Sequence, residues 1–524
     1  MAAAMASAFT RNPFIRAIFF SAFCLLLFVY TLRPQTARLQ RIEENLEVYA
    51  PVHAQKPTDT FQPDCSVNGT NLKSLQERFG LDDKIEYAKR YVRFTRKEIP
   101  RKSITKIEDE LLPAEFETVD IRNPPKQAEC LRPLEVDVPK SPYPETVDAS
   151  ELLFGISTTY GRLHDERIGP MKEWSHWLTD GHGNSNGAGL ILRLIDASDD
   201  EIEHSKAVMK EMGIDVQVFH SDSQIEMAQR YLSLLPALYD DASRPNRKWL
   251  VMCDDDTFFP SMHALLEELG KFDSESELYI GTLSEDVNQV ARHGSQAFGG
   301  AGVFFSIPLA KRVAADYDAC STPDKLREAN TGWGAQGDVL LRKCIYENTD
   351  VRLTALNSLW QLDLCTDVSG FYESGGKPLS LHHFKGGMWH TAFPFEISQI
   401  SHTCGEDCIL QRFQTKDNFI LTNGYSIAHY PKGIDFNVNQ MERTFNSAPS
   451  DLGWNMDYAF GPQRQTLIES GKKVSWELKD AIVETDGSVR QFYIRKKDDW
   501  RWKETRNGKR MFNTDGVIEL IWVP

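Results

Sequence analysis

No Gly-x-Gly-x-x-Gly run follows the first predicted strand of the α/β region; Leu152 to Ser157 leads instead into Thr158, Thr159, Tyr160, Gly161 and Arg162. That absence excludes the dinucleotide grip of dehydrogenases, in which glycines let the backbone approach a pyrophosphate. Positive charge is also short. With 59 Lys and Arg against 75 Asp and Glu, the net charge is -16, the wrong sign for a chain that neutralises nucleic-acid phosphates. No Cys/His spacing resembles a structural zinc site, since Cys404 and Cys408 have no second pair near them in sequence. Long apolar runs are reduced to one, Phe14 to Leu32, with Arg16 near its start and Arg33 just past its end.

That run matches the roughly 20 residues needed to cross a bilayer core. No small-x-small cleavage site follows it, so an uncleaved signal-anchor is expected rather than a signal peptide. Arg11 and Arg16 on one side oppose Arg33, Arg38 and Arg41 on the other, which leaves the charge rule undecided. The sequon Asn68-Gly69-Thr70 and the cysteines favour the lumenal side for the rest. The expectation is a single-pass type II protein of the Golgi (or ER) membrane. Of nine cysteines, Cys24 and Cys253 fall in apolar runs where unpaired filler is the simplest reading, and most of the other seven would pair, with an odd one left over or recruiting Cys253.

The expected organisation is a cytoplasmic tail (1–13), the anchor (14–32), a proline-punctuated stem (33–150), a catalytic body (151–400) and a β-rich extension (401–524). Within the stem, Leu72 to Arg93 carries a helical pattern, so a small helical domain packed on the body is the competing reading. From Leu152, strands alternate with helices: Leu152–Ser157, Met171–Leu178, Gly189–Asp196, Asp200–Met212, Asp215–Phe219, Ile225–Asp240 and Trp249–Cys253. Alternation of periods 2 and 3.6 predicts parallel βαβ units in an α/β, Rossmann-like sheet. In the extension, Asp486-Gly487 and Asp515-Gly516 predict hairpin turns. Arg495 to Arg510, with Trp500 and Trp502 interleaved, predicts a solvated charged hairpin face.

Three acids close the Trp249 strand: Asp254, Asp255 and Asp256. Strand ends in such sheets project side chains into a ligand crevice. Adjacent carboxylates resist ionisation unless a cation faces them, and hard oxygens suit Mn²⁺ or Mg²⁺ with a substrate's phosphates completing the shell. An acidic triplet in a solvated loop is the plain alternative. Further on, Phe298 to Gly302 allows close backbone approach to a ligand or simply a tight turn. Asp338 stands where it would cap the helix Val339–Tyr346, and His382-His383 ends a short apolar run.

Taken in order, Gly155 to Thr159, Trp249 to Phe259, Phe298 to Ser306, Gly332 to Asp338 and His382-His383 resemble the fringe-type and core 1 β1,3-galactosyltransferase-type enzymes. The resemblance covers roughly 150–390 and implies a GT-A fold with a single nucleotide-sugar-binding domain. It implies that Asp256 binds the metal together with His383 or His382, and that Asp254 and Asp255 face the donor. It also implies that Thr158, Thr159 and Arg167 lie near the uridine, that Gly300, Ala301 and Gly302 line the donor site, and that Asp338 is the catalytic base. The expected partners are a UDP-sugar and a glycan or glycoprotein acceptor; pairing with a second copy stays open. The chemistry expected is inverting transfer. An inactive glycan-binding scaffold of the same fold, a retaining transferase and a metal-dependent phosphohydrolase are the alternatives, the last lacking a second set of Asp/His ligands.

Overall fold

The computed structural model describes residues 63–447, 456–468, 471–502 and 510–524. The expected anchor, 14–32, lies outside the described residues, and among them no helix is long and apolar enough to cross a membrane.

Four strands come first: β1 (Lys84–Lys97), β2 (Ile104–Ile107), β3 (Glu117–Asp120) and β4 (Leu134–Pro139). Seven more follow: β5 (Leu152–Thr159), β6 (Gly189–Ile195), β7 (Asp215–Ser221), β8 (Trp249–Met252), β9 (Tyr279–Gly281), β10 (Val303–Ser306) and β11 (Leu353–Ala355). These seven form one sheet, ordered β11-β9-β10-β8-β5-β6-β7. β8, β5, β6 and β7 run parallel, as βαβ crossovers require, and β10 runs antiparallel to both β8 and β9.

Local chemistry sets the crossovers. The helix Asp199–Glu211 starts at Ser198, whose hydroxyl accepts the Glu201 N–H while the Glu201 side chain reaches back to the Ser198 N–H, a capping box that satisfies two orphan donors. Met227–Tyr239 buries Leu232, Leu235 and Leu238 and continues through Pro236, which lies in its last turns. A Cβ at Gly155 would lie 2.9 Å from a Leu238 methyl, so β5 and this helix approach closely and a larger residue would push the Leu238 side chain aside. β8 is buried at all four positions, which is why its sequence is apolar throughout rather than alternating.

The segment expected as a stem differs. Its helix, Gly69–Phe79, stops at Gly80, whose φ of 59° is left-handed. Residues 84–97, assigned in part to a helix by periodicity, are β1, with Ile85, Tyr87, Tyr91, Val92 and Phe94 buried; β-branched and aromatic side chains suit a strand covered on both faces. β1 to β4 join Arg412–Thr415, Phe419–Thr422, Ser426–His429, Val474–Val483, Val489–Arg495 and Asp515–Val523 in a ten-stranded sheet. Chain from both sides of the α/β region therefore builds one sheet, with β1 parallel to Asp515–Val523.

One core cluster runs through both sheets and includes Phe94, Trp522, Phe154, Trp177 and Phe259. Trp177 is fully buried against Phe154 and Phe259, at ring separations of 4.8 and 5.1 Å. Its truncation to alanine would cost about 3–5 kcal/mol.

Asp486-Gly487 does turn a hairpin, Val483 pairing with Val489 and Gly487 having φ 81°. Asp515-Gly516 does not. Asp515 opens a strand because its buried carboxylate accepts the Lys497 and Asp82 N–H groups at 2.8 and 3.1 Å. The basic segment is a solvated face only in part: Trp500 and Arg510 are exposed, but Arg495 and Trp502 are buried, and Arg501 is held by Asp499 at 2.5 Å and by Glu477. Disulfides join Cys65 to Cys130, Cys320 to Cys344 and Cys404 to Cys408. Buried Cys253 is unpaired as expected, and Cys365 is the one left over.

Candidate functional site

The acids follow β8 at the carboxyl end of the parallel strands. Thr257 fixes their turn: its hydroxyl accepts the Asp254 N–H at 3.1 Å and donates to the Gly300 carbonyl at 2.9 Å. Next to it Phe258 and Leu381 exchange two backbone hydrogen bonds, both 2.8 Å. This short bridge carries a segment more than a hundred residues downstream to the acids.

It delivers His382. The His382 Nε2 lies 3.1 Å from an Asp256 oxygen and 3.5 Å from Asp254, while Nδ1–H donates to the Gln361 carbonyl at 3.1 Å. The three side chains offer ligand atoms within 4.8 Å of one another. Burial acts to raise the Asp256 pKa, but the His382 imidazolium draws it well below the usual carboxylate range. Burial acts to lower the His382 pKa, and Asp256 and Asp254 overcome it and drive it well up. Carboxylates that force a proton onto a buried imidazole are short of positive charge, and oxygen plus imidazole donors suit a divalent cation.

His383 points elsewhere. Its Nδ1 is 3.1 Å from Asp363, and its ring lies flat on Trp389, centroids 4.0 Å apart at 8°. Its φ of 57° is rare for a residue other than glycine. The two imidazoles lie against each other, centroids 3.8 Å apart, but Asp363 holds His383 while His382 alone meets the acids.

Asp255 turns from that cluster to Arg162, whose Nε is 2.6 Å away, and to the Thr158 hydroxyl. Burial raises the Asp255 pKa and Arg162 partly offsets the rise. The second Arg162 nitrogen is 3.5 Å from Asp256. Thr159 caps the helix Tyr160–Leu163 by accepting the Arg162 N–H at 3.2 Å. Arg167, expected near the donor, is 87 % exposed and pairs only loosely with Asp165. Arg162 stands in the site instead. Its position directly after the Thr158-Thr159 turn was the available signal.

The glycine run serves the histidine. Gly300, Ala301 and Gly302 are all buried, and a Cβ at Gly300 would fall 2.0 Å from the His382 ring. The close approach expected toward a ligand is made here by His382. Gly302 has φ 93°, which glycine alone takes without strain.

Asp338 sits within the first turn of the helix Gly337–Asn348; the N-cap is Gln336, not Asp338. Freed from capping, its half-buried carboxylate accepts the Gly299 N–H at 3.2 Å. Burial first, and the Asp254 charge second, push its pKa up to about 7. It lines a cavity of about 220 Å³ with Trp333, Gln361, Asp363, His383 and Trp389. Trp389 and Gln361 escaped sequence reasoning, since no local pattern marks them.

Acids at the end of a buried parallel strand, an imidazole against them and a recessed carboxylate make up the candidate site of this α/β domain. Residues 193–388 match a family model described as Fringe-like, a stretch that holds the acids, the glycine run, Asp338 and both histidines. The protein is accordingly a glycosyltransferase. No curated protein matches the chain. Among solved structures, mouse xyloside xylosyltransferase 1 in its apo form is 13% identical, over 42% of this chain and 89% of that one, with a TM-score of 0.27. The galactosyltransferase LgtC with donor and acceptor sugar analogs is 11% identical, over 40% and 73%, TM-score 0.28. A mannosyltransferase from Pyrobaculum calidifontis in complex with GDP-Man and Mn2+ is 11% identical, over 45% and 62%, TM-score 0.25. Scores this low carry no inference about this chain.

Proposed function

We propose that the chain is an inverting, metal-dependent transferase of GT-A type that moves a hexose or N-acetylhexosamine from a UDP-sugar to a hydroxyl of a glycan or glycoprotein, forming a β1,3 linkage. The observation that carries this reading is the convergence of Asp254, Asp256 and His382 beside a cavity lined by Asp338. Asp256, His382 and Asp254 would hold Mn²⁺ (or Mg²⁺). A divalent cation bound there supplies Lewis-acid stabilisation of the charge that gathers on a departing diphosphate. Gln361 supports the site by holding Nδ1–H, which leaves Nε2 for the ligand role. Arg162 adds a fixed positive charge beside Asp255 and Asp256. Asp338 takes the proton of the acceptor hydroxyl as general base; a pKa near the working pH suits that task. One carboxylate acting as base, with the hydroxyl itself as nucleophile, inverts the anomeric carbon.

The three disulfides and the exposed sequon residue Asn68, whose side chain caps Gly69–Phe79, support a Golgi (or ER) lumenal body. Residues 14–32 are the proposed anchor.

The test is to incubate the purified lumenal chain with UDP-Gal, UDP-GlcNAc and UDP-Glc, with Mn²⁺ or with EDTA. Cation-dependent donor hydrolysis or transfer, with a β linkage in the product by NMR, is expected. Turnover unaffected by EDTA, or an α-linked product, would overturn the assignment.

A further inference from the structure

Resting on that reading, we propose that a second cavity, of about 670 Å³, is a saccharide subsite for the part of the acceptor beyond the sugar that carries the attacking hydroxyl. Its size lies within the range of about 300–1,000 Å³ usual for small-molecule sites. Its walls come from two parts of the chain: residues between Thr366 and Thr391, and, from the C-terminal extension, Tyr425, Arg443 to Asn446, Thr466, Glu477 and Asp499 to Arg501. The family match ends at residue 388, so most of this site lies outside it.

Three observations favour an extended neutral sugar chain. Trp389 lines both this cavity and the one holding Asp338, so a single indole, fixed flat on His383, separates the two. A ligand reaching past Trp389 would have one end beside the proposed base. Second, Trp500, which lines this cavity, is 59% exposed, an apolar plate of the kind on which the C–H face of a pyranose packs. Third, Asp367 is only 9% exposed, yet its Oδ2 takes no hydrogen bond; Oδ1 accepts the Ser369 N–H at 2.8 Å, and the nearest Arg501 nitrogen is 3.8 Å from Oδ2. A buried acceptor without a hydrogen bond is destabilising, and a ligand hydroxyl would satisfy it.

Charge decides the ligand class. Asp367, Glu477 and Asp499 face Arg443 and Arg501, three acids to two bases. Arg501 is already held by Asp499 and Glu477. A lining with this balance disfavours phosphate and sulfate groups and suits a neutral, hydroxyl-rich chain.

The experiment is titration of the purified chain with a panel of neutral mono- to pentasaccharides, sulfated counterparts and a Ser/Thr-rich peptide, by calorimetry and saturation-transfer NMR. Trp500→Ala and Asp367→Asn are measured beside the wild type, and their melting curves verify folding. The expected result is a neutral oligosaccharide that binds at least about tenfold better than its monosaccharide and loses about tenfold or more in each folded variant. Equal binding by wild type and variants, preference for sulfated glycans or peptide, or no saccharide binding at all would overturn the proposal. Donor hydrolysis by the wild type, with and without Mn²⁺, tests the transferase reading separately. Its absence with saccharide binding intact would reject the transferase role and leave the cavity a sugar site.

Discussion

The Nε2 of His382 and a carboxylate oxygen of Asp256 stand 3.1 Å apart, brought together by the backbone bridge between Phe258 and Leu381. Removing either partner takes one ligand from the proposed cation site. His382→Ala and Asp256→Asn are each expected to weaken Mn²⁺ binding, read by EPR titration, and to slow donor hydrolysis on the order of 10³-fold, the loss of several kcal/mol of charge stabilisation. Unchanged Mn²⁺ affinity in both would place the cation elsewhere.

Asp338→Asn keeps the shape and removes the base. Turnover should fall by about 10²–10⁴-fold while the KM for the UDP-sugar stays put. Because the carboxyl titrates at about 7, its basic form is scarce in acid. The wild-type rate should climb with pH to about 7 and then level off, and the residual activity of the Asn variant should lack that rise. A variant with full turnover would reduce Asp338 to a structural partner of the Gly299 N–H.

Gly300→Ala probes the packing behind the imidazole. The added methyl would fall 2.0 Å from the His382 ring, so the ring must shift from Asp256. Mn²⁺ affinity should drop about 10–100-fold, as when other supports of a metal ligand are lost. Stability should fall by about 1–3 kcal/mol, the usual cost of overpacking. Wild-type affinity in a folded variant would show that this glycine does not set the histidine.

Glu285 links the site to pH-dependent stability. It is buried, accepts the Gln361 and Leu362 N–H groups, both at 2.9 Å, and has its pKa pushed up to about 8, by burial first and Asp363 second. A carboxyl raised in the folded state favours folding while protonated, so its contribution is whole below pH about 4.5 and is lost as pH rises toward 8, at most about 1.4 kcal/mol per unit. Glu285→Gln should flatten that decline in a series of urea melts. An identical pH profile in the variant would show that Glu285 does not drive it.

Much of the α/β region was legible because it rests on local chemistry. Met171–Leu178 has the bounds its periodicity predicts, Gly189–Ile195 and Asp199–Glu211 fall within one residue of theirs, and the acids stand at the end of a buried strand because an apolar run stopped abruptly at Cys253. Periodicity failed at Lys84–Lys97, where long-range pairing with Asp515–Val523 outweighs helical spacing. It failed again at Asp515-Gly516, where a dipeptide typical of turns is recruited by distant amide donors.

The order of residues by itself determined the parallel strands, the carboxylates at the mouth of the crevice and the candidacy of Asp338, all of which follow from neighbours a few positions apart. Only the folded chain decided that His382 rather than His383 meets Asp256, that Arg162 answers Asp255, and that β1 to β4 share a sheet with strands between Arg412 and Val523. Those choices depend on which way a side chain faces once remote backbones are paired. That direction is set by hydrogen bonds and close packing between segments hundreds of residues apart, which no local pattern encodes.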